Sequence, residues 1–307
     1  MRITQNMLND RVLSDLTRAM NRVDRATQEM STQRKLLRPS DDPVGAQRAV
    51  LTRAQLQANE QYRANISQAR GWMETTSSTL SEITNLLHRA NELLVEGATD
   101  SAGHEARLNI AAEIDQIVAA VKHAGNTSYG GVYLFGGTKT TTPPYDTTSE
   151  PAVDAYFGDN GIVAREIGPG VSVQINALVN VGTPPLLGGG GGDGGLIDTL
   201  RNISAHLRGG TAADAEALRT TDLRALQANL TRINEVQAQV GATLNRLDAA
   251  EDRVETTHEA ATRLLSDTED IDAATAILQL TTAQTVYEAA LKTGASIIQP
   301  SLLDFLR

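Results

Sequence analysis

Cysteine is absent from the 307 residues. A disulfide framework, a thiolate nucleophile and cysteine-ligated zinc are therefore excluded. Aromatic residues make up only 3%, with Trp72 the single tryptophan. Alanine, threonine, leucine, asparagine and glutamine dominate instead, the balance of long helices rather than of a ligand-pocket enzyme. Positive charge is also short: the net charge is −10, which argues against nucleic acid as the main partner. No window approaches the ~20 apolar residues that a membrane span needs. The opening MRITQNMLND has no apolar signal region, so the expectation is no membrane role and export, if any, by a route that reads no cleaved signal peptide.

Proline and glycine are scarce everywhere except the middle. Six of nine prolines fall between Pro143 and Pro185, and seventeen of 25 glycines between Gly125 and Gly195. Long helices cannot form there, and almost nothing forbids them on either side. The predicted fold class is mainly α, with a small β domain inserted between helical segments from both ends of the chain.

The helical stretches carry apolar residues at alternating spacings of three and four. Leu13, Leu16, Met20, Val23, Thr27, Met30, Arg34 and Leu37 form the first stripe, six of the eight being large and apolar. A second runs Tyr62, Ile66, Ala69, Met73, Thr76, Leu80, Ile83, Leu87, Ala90 and Leu94, with Thr76 off pattern. A third, Ile110, Ile114, Ile117 and Val121, follows the break at Gly97 to Gly103. The most regular runs from Leu223 to Leu265 and predicts a left-handed coiled-coil seam. Ile277, Leu280, Gln284, Tyr287, Leu291, Gly294 and Ile298 continue it towards the terminal SLLDFLR. Narrow seams of this kind bury little per residue alone and gain stability from neighbours.

One interruption stands out, LLRPSDDPVGAQ at 36–47. Pro39 is expected to stop one helix at or before Arg38. Ser40, Asp41 or Asp42 is expected to cap the next, with Pro43 in its first turn, where a missing N–H costs nothing. Residues 39–43 therefore read as a joint between two helical segments.

The centre reads as strands at 132–135, 153–157, 162–167 and 171–179, bounded by turn residues such as Asp159-Asn160-Gly161 and Gly168-Pro169-Gly170. The run GGGGGDGG at 188–195 reads as a flexible linker. The expected domains are 1–38 with 266–307 as a terminal coiled coil, 39–137 with 196–265 as a helical rod with a β-hairpin, and 138–195 as a β-rich outer domain with its linker.

The search for chemistry returns little. His88, His104, His123, His206 and His258 have no partner three or four residues away, and position 262 is Thr where a zinc-protease helix needs a second histidine. The glycine run meets a dinucleotide fingerprint trivially, without the tight strand–turn that the motif needs. No P-loop or nucleophile elbow occurs. The acids of SDTEDID (266–272) are explained by helix capping and solvation. No enzyme activity, cofactor or metal is expected. Charge is uneven, however: residues 1–39 hold eight basic and four acidic side chains, and 248–307 eleven acidic and four basic. The ends could pair as an antiparallel coiled coil, with charge setting orientation more than strength.

Five stretches together carry a resemblance: MRITQNML, RPSDDPVGA, NTSYGGVYLFGGT (126–138), VGATLNRLDAAEDRVE (240–255) and the ending from LLSDTEDID to SLLDFLR. In this order they resemble the flagellin-like family, and YFGDNGIVAREIGPGVSVQIN (156–176) favours its hook–filament junction branch. The resemblance implies a structural, non-enzymatic protein of the bacterial flagellum, exported through the flagellar type III apparatus. It implies a homo-oligomeric ring between hook-associated protein 1 and the flagellin filament, and an export chaperone on the C-terminal helix. The terminal helices would line an inner tube, making Met7, Leu8, Leu13, Leu16, Met20, Val23, Ile277, Leu280, Leu291, Ile298, Leu302 and Phe305 the expected assembly interface. Pro39, Ser40, Asp41, Asp42 and Pro43 would be the joint between tube and rod. The runner-up reading is flagellin itself, the filament subunit.

Overall fold

The computed structural model describes residues 5–99, 103–146, 154–189 and 192–305, and the side chains of these except at 5, 6, 8 and 297–305. The chain is mainly α with a small β region. In order it forms α1 (Gln5–Thr32), α2 (Pro43–Gly97), α3 (His104–Gly125), β1 (Ser128–Tyr129), β2 (Val132–Tyr133), β3 (Ala164–Gly168), β4 (Val171–Gln174), α4 (Leu196–Gly209) and α5 (Ala212–Ala217). A π-helical turn (Leu218–Asp222), α6 (Leu223–Glu269) and α7 (Ala273–Phe305) complete it. It divides into two compact units, one of residues 1–59 with 256–307 and one of residues 60–255.

In the second unit the α2 stripe is the spine of the core. Ile66, Ala69, Met73, Leu80, Ile83, Leu87, Ala90 and Leu94 are all buried. So is Thr76, whose hydroxyl donates to the Trp72 carbonyl at 2.9 Å and thereby pays its polar cost locally. Ile110, Ile114, Ile117 and Val121 of α3 are buried in the same cluster, as are Leu196, Leu200, Ile203 and Leu207 of α4. On α6 buried apolar positions recur every seven residues, at Leu226, Ile233, Val240, Leu247 and Val254, with Asn229 buried among them, and Leu223, Leu230 and Leu244 are half-buried beside them.

The two sheets are two-stranded and antiparallel. β1 and β2 close through Gly130 and Gly131, both at positive φ (60° and 81°), the geometry of the tight hairpin turn. β3 and β4 pair Ala164 with Gln174 and Glu166 with Ser172, with an irregularity before Gly168. The strand expected at 153–157 does not form among the described residues: Tyr156 makes only an isolated bridge to Tyr145. Its hydroxyl instead donates to the carbonyls of Phe135 at 2.8 Å and Asp159 at 3.0 Å. Asp159 closes its own turn, accepting from the Gly161 N–H at 2.9 Å. Ile167, Val173, Ile175 and Val179 share the buried cluster of the helices.

The described part of the glycine run is tied down rather than free. Asp193 accepts from the N–H groups of Gly189 and Gly195, and Asp198 from those of Gly192 and Gly194. Gly195 caps the start of α4. A bare backbone offers many N–H donors, and two carboxylates collect them.

A charged cluster fastens this region. Lys122 of α3 pairs with Asp154, which also accepts from Arg201 of α4 at 2.8 Å; Arg201 reaches Asp115 at 3.2 Å. Lys122 and Asp154 are both almost fully buried, so each needs the other in place.

Candidate functional site

The first unit holds the terminal helices and the joint. α1 and α7 pack on each other and run antiparallel. Gly294, late in α7, faces Val12, early in α1. A groove of about 450 Å³ between the helices is lined by Arg22, Arg25, Ala26 and Glu29 of α1 and by Leu278, Gln279, Thr282, Ala283 and Val286 of α7.

The seam between them is made of small residues. Ala19 and Ala26 of α1 and Ala276 and Gly294 of α7 are buried, and Val12, Leu16, Val23, Leu280, Ala283, Tyr287 and Ala290 are half-buried. Both sets keep the alternation of three and four that a coiled coil requires. Small side chains at Ala19, Ala26, Ala276 and Gly294 let the backbones approach closely, with Leu16, Leu280 and Tyr287 the larger residues between them.

This displaces the expected interface. Of its residues, Leu16, Val23 and Leu280 lie in the seam. Met7, Leu13, Met20, Ile277 and Leu291 are instead 56%, 59%, 52%, 49% and 42% exposed. The side chains of Leu8, Ile298, Leu302 and Phe305 lie outside the described residues. Size misled the reading: Leu13 and Met20 outrank Val12 and Ala19 in apolar area, yet the smaller pair is the one at the seam. Alanines at 19 and 26, and at 276, 283 and 290, were the signal available in sequence. The exposed residues share a flank. Arg22, Arg25 and Glu29 border the seam on the side of the groove, with Gln279, Thr282 and Val286 opposite. Leu13 and Met20, and Ile277 and Leu291, stand at the heptad positions on the other side. The groove side exposes apolar residues as well, Leu278 at 68% and Val286 at 41%, so the pair leaves apolar area open on both flanks.

The joint is assembled from both ends of the chain. α1 stops at Thr32, seven residues ahead of Pro39, because Gln33 turns to φ 54°. This left-handed turn releases residues 33–35 to pair with 269–271, where α6 ends. Arg34 bridges Asp270 in antiparallel fashion. The Lys35 N–H donates to the Glu269 carbonyl at 2.7 Å and the Ile271 N–H to the Gln33 carbonyl at 3.1 Å. The Lys35 ammonium donates to the Asp267 carbonyl at 2.7 Å.

Pro39 and Ser40 lie in the turn that follows, and Pro43 is the first residue of α2. Asp42 is the cap among the three candidates, its carboxylate accepting from the Val44 N–H at 3.1 Å. Asp41 accepts from the Arg38 N–H at 3.1 Å and stands 3.7 Å from Arg25 of α1. The hydrogen bond to Glu29, with the charge of Asp41, holds the Arg25 guanidinium above its usual pKa. Asp272 caps α7 in the same way, accepting from the Thr275 N–H at 3.1 Å.

At the joint's centre the Glu269 carboxylate, 4% exposed, meets Arg53 at 2.6 Å and Arg34 at 3.6 Å. Neither Glu269 nor Arg53 was singled out from sequence. The charge asymmetry of the two ends took in Glu269 but not Arg53; at the joint it yields the Arg34–Glu269 pair, while the Lys35 ammonium meets the backbone carbonyl of Asp267.

The chain's relatives match this architecture. The bacterial flagellin N-terminal helical region matches residues 3–140, and the bacterial flagellin C-terminal helical region residues 223–306. Flagellar hook-associated protein 3 of Escherichia coli is 26% identical over 98% of this chain and 100% of its own length. The flagellar filament 30.7 kDa core protein of Treponema maltophilum is 24% identical over 86% of this chain and 84% of its own. The fold is shared with the crystal structure of the flagellar junction protein FlgL from Legionella pneumophila, at TM-score 0.56 and 17% identity over 73% of this chain and 100% of that one. With both flagellin helical regions in place at its two ends, the chain belongs to the flagellin-like family.

Proposed function

We propose that this protein is a structural, non-enzymatic part of the bacterial flagellum. In this reading it is the adaptor ring that joins the hook, through hook-associated protein 1, to the flagellin filament. The observation that carries it is the apolar area that the α1–α7 pair leaves exposed. Leu13, Met20, Ile277 and Leu291 leave about half of their surface in solvent at positions where further copies of the pair would bury it, each for about 1 kcal/mol. The full-length match to a hook-associated protein supports the junction over the filament, whose core protein matches less of either chain. Export without a cleaved signal peptide, with a chaperone holding the C-terminal helix until assembly, belongs to the same reading. So does the division into a terminal coiled coil (1–38 and 266–307), a helical rod and a β-rich outer domain, with residues 39–43 as the joint between tube and rod.

The test is a clean gene deletion, with the cell surface imaged by electron microscopy and the medium assayed for flagellin. Hooks without filaments, and flagellin shed into the medium, are expected. Loss of secreted flagellin together with the filaments would make this chain the filament subunit instead. Normal motile filaments would overturn both readings.

A further inference from the structure

The two helix breaks of the first unit are joined by very little. Two backbone hydrogen bonds, Lys35 to Glu269 and Ile271 to Gln33, flank the Arg34–Asp270 bridge. On either side stand helices of 28, 55, 47 and 33 residues. A contact this short opens far more readily than the helices it connects. Side chains hold it, the buried Glu269 carboxylate foremost. Glu269, the last residue of α6, reaches Arg53 on α2 and Arg34 between α1 and α2. Its carboxylate is buried, while Arg34 and Arg53 are 52% and 46% exposed. On opening, both cations return to water they already touch. The Lys35 ammonium, bound to the Asp267 carbonyl, is exposed as well.

We infer that Glu269 is the latch of a two-strand clasp between residues 33–35 and 269–271. Closed, the clasp fixes one geometry at the joint. Released, it lets the α1–α7 pair re-aim as a unit against the first turns of α2 and the last turns of α6. The inference rests on reading residues 39–43 as a mechanical joint, and it moves the control point from the prolines to a carboxylate 230 or so residues away in the chain.

Hydrogen exchange on the full chain tests the latch. In Glu269→Gln the Lys35 and Ile271 amides are expected to exchange about tenfold faster or more, by one common factor. The Ala19 and Ala283 amides should change less than about twofold. Unchanged rates, unequal factors, or a loss of protection shared with Ala19 and Ala283 would each overturn it.

A second arm tests the release. The chain has no cysteine, so Arg34→Cys with Asp270→Cys creates one oxidisable pair. These positions form a non-hydrogen-bonded antiparallel pair, whose α-carbons lie about 4.5 Å apart, inside disulfide range. The 2.6 Å Arg53–Glu269 pair keeps the latch when the weaker Arg34 contact is lost. Cells carrying this variant should grow filaments in both redox states, lose swimming in viscous medium on oxidation and regain it with reductant. Full swimming with the cross-link formed would overturn release as a working step. Filaments absent even in reductant would make the closed clasp part of assembly itself and overturn release as a working step, and the exchange rates would still decide the latch.

Discussion

Gly294 of α7 faces Val12 of α1 so closely that a β-carbon on it would stand 3.0 Å from Val12 Cγ1. The terminal pair is therefore set by what its seam leaves out. Gly294→Leu should overpack it and cost about 1–3 kcal/mol. Circular dichroism melts of the isolated chain would register this as an early loss of helix. A melt identical to the parent would mean that the seam does not hold the ends together in solution.

The exposed apolar residues away from the groove should behave in the opposite way. Leu13→Gln, Met20→Gln, Ile277→Gln and Leu291→Gln replace exposed residues, so each should leave monomer stability within about 0.5 kcal/mol. Combined, they should abolish filament attachment, because the buried area they forfeit lies between copies. Filament-bearing cells counted with the quadruple variant give the answer, and normal counts would remove this flank from the assembly surface.

At the joint, the cap and the prolines separate. Asp42→Ala removes the carboxylate that receives the Val44 N–H and should cost about 0.5–2 kcal/mol. Pro39→Ala should cost far less, since α1 has already ended at Thr32. Urea unfolding of the two variants compares them directly. Pro39→Ala with Pro43→Ala, assayed for motility under viscous load, tests the mechanical role; unchanged swimming would remove the prolines from it.

Two aspartates of the second unit should give opposite pH slopes. Burial alone would raise the Asp154 carboxyl, but hydrogen bonds from Arg201 and Lys122, then their charges, carry it below its usual value. Its stabilisation is complete above the unfolded value of about 3.9 and is lost as pH falls through the folded one. Burial raises Asp222, and the hydrogen bond from His206 recovers only part of that. Its contribution is complete below the unfolded pKa and is lost as pH rises through the folded one. In urea midpoints measured between about pH 3 and 7, the deficit of Asp154→Asn should shrink on the acid side. Asp222→Asn should gain on wild type as pH rises. Profiles parallel to wild type would contradict these assignments.

Along α6, Leu247 is fully buried and Leu264 is 42% exposed. Leu247→Ala should cost about 2–5 kcal/mol, and Leu264→Ala should stay within about 0.5 kcal/mol. Equal costs would mean that the seven-residue rhythm of burial is not what stabilises the helix.

The sequence by itself determined which segments are helices, and for the second unit which faces are buried. Apolar residues held to a spacing of three and four leave a long helix one way to lie, and every α2 position from Ile66 to Leu94 on that stripe is buried, Thr76 included. Of the hairpin, the sequence marked a strand at 132–135 but not the turn, although few residues besides glycine take the two successive positive φ angles of Gly130 and Gly131. The terminal pair was legible as a pair but not in its seam. There two stripes lie side by side, and only the packing of α1 on α7 decides that Ala19, Ala276 and Ala290 go inside while Leu13, Met20, Ile277 and Leu291 stay out. The strand expected at 153–157 failed for a related reason: β-propensity describes fit to a neighbouring strand, and Tyr156 found carbonyl partners instead. The joint was half legible. Prolines and capping acids mark a break locally, but nothing local couples Lys35 to Glu269. That contact exists because two distant helices end side by side, and tertiary structure alone brings a buried carboxylate to the place where both ends of the chain turn.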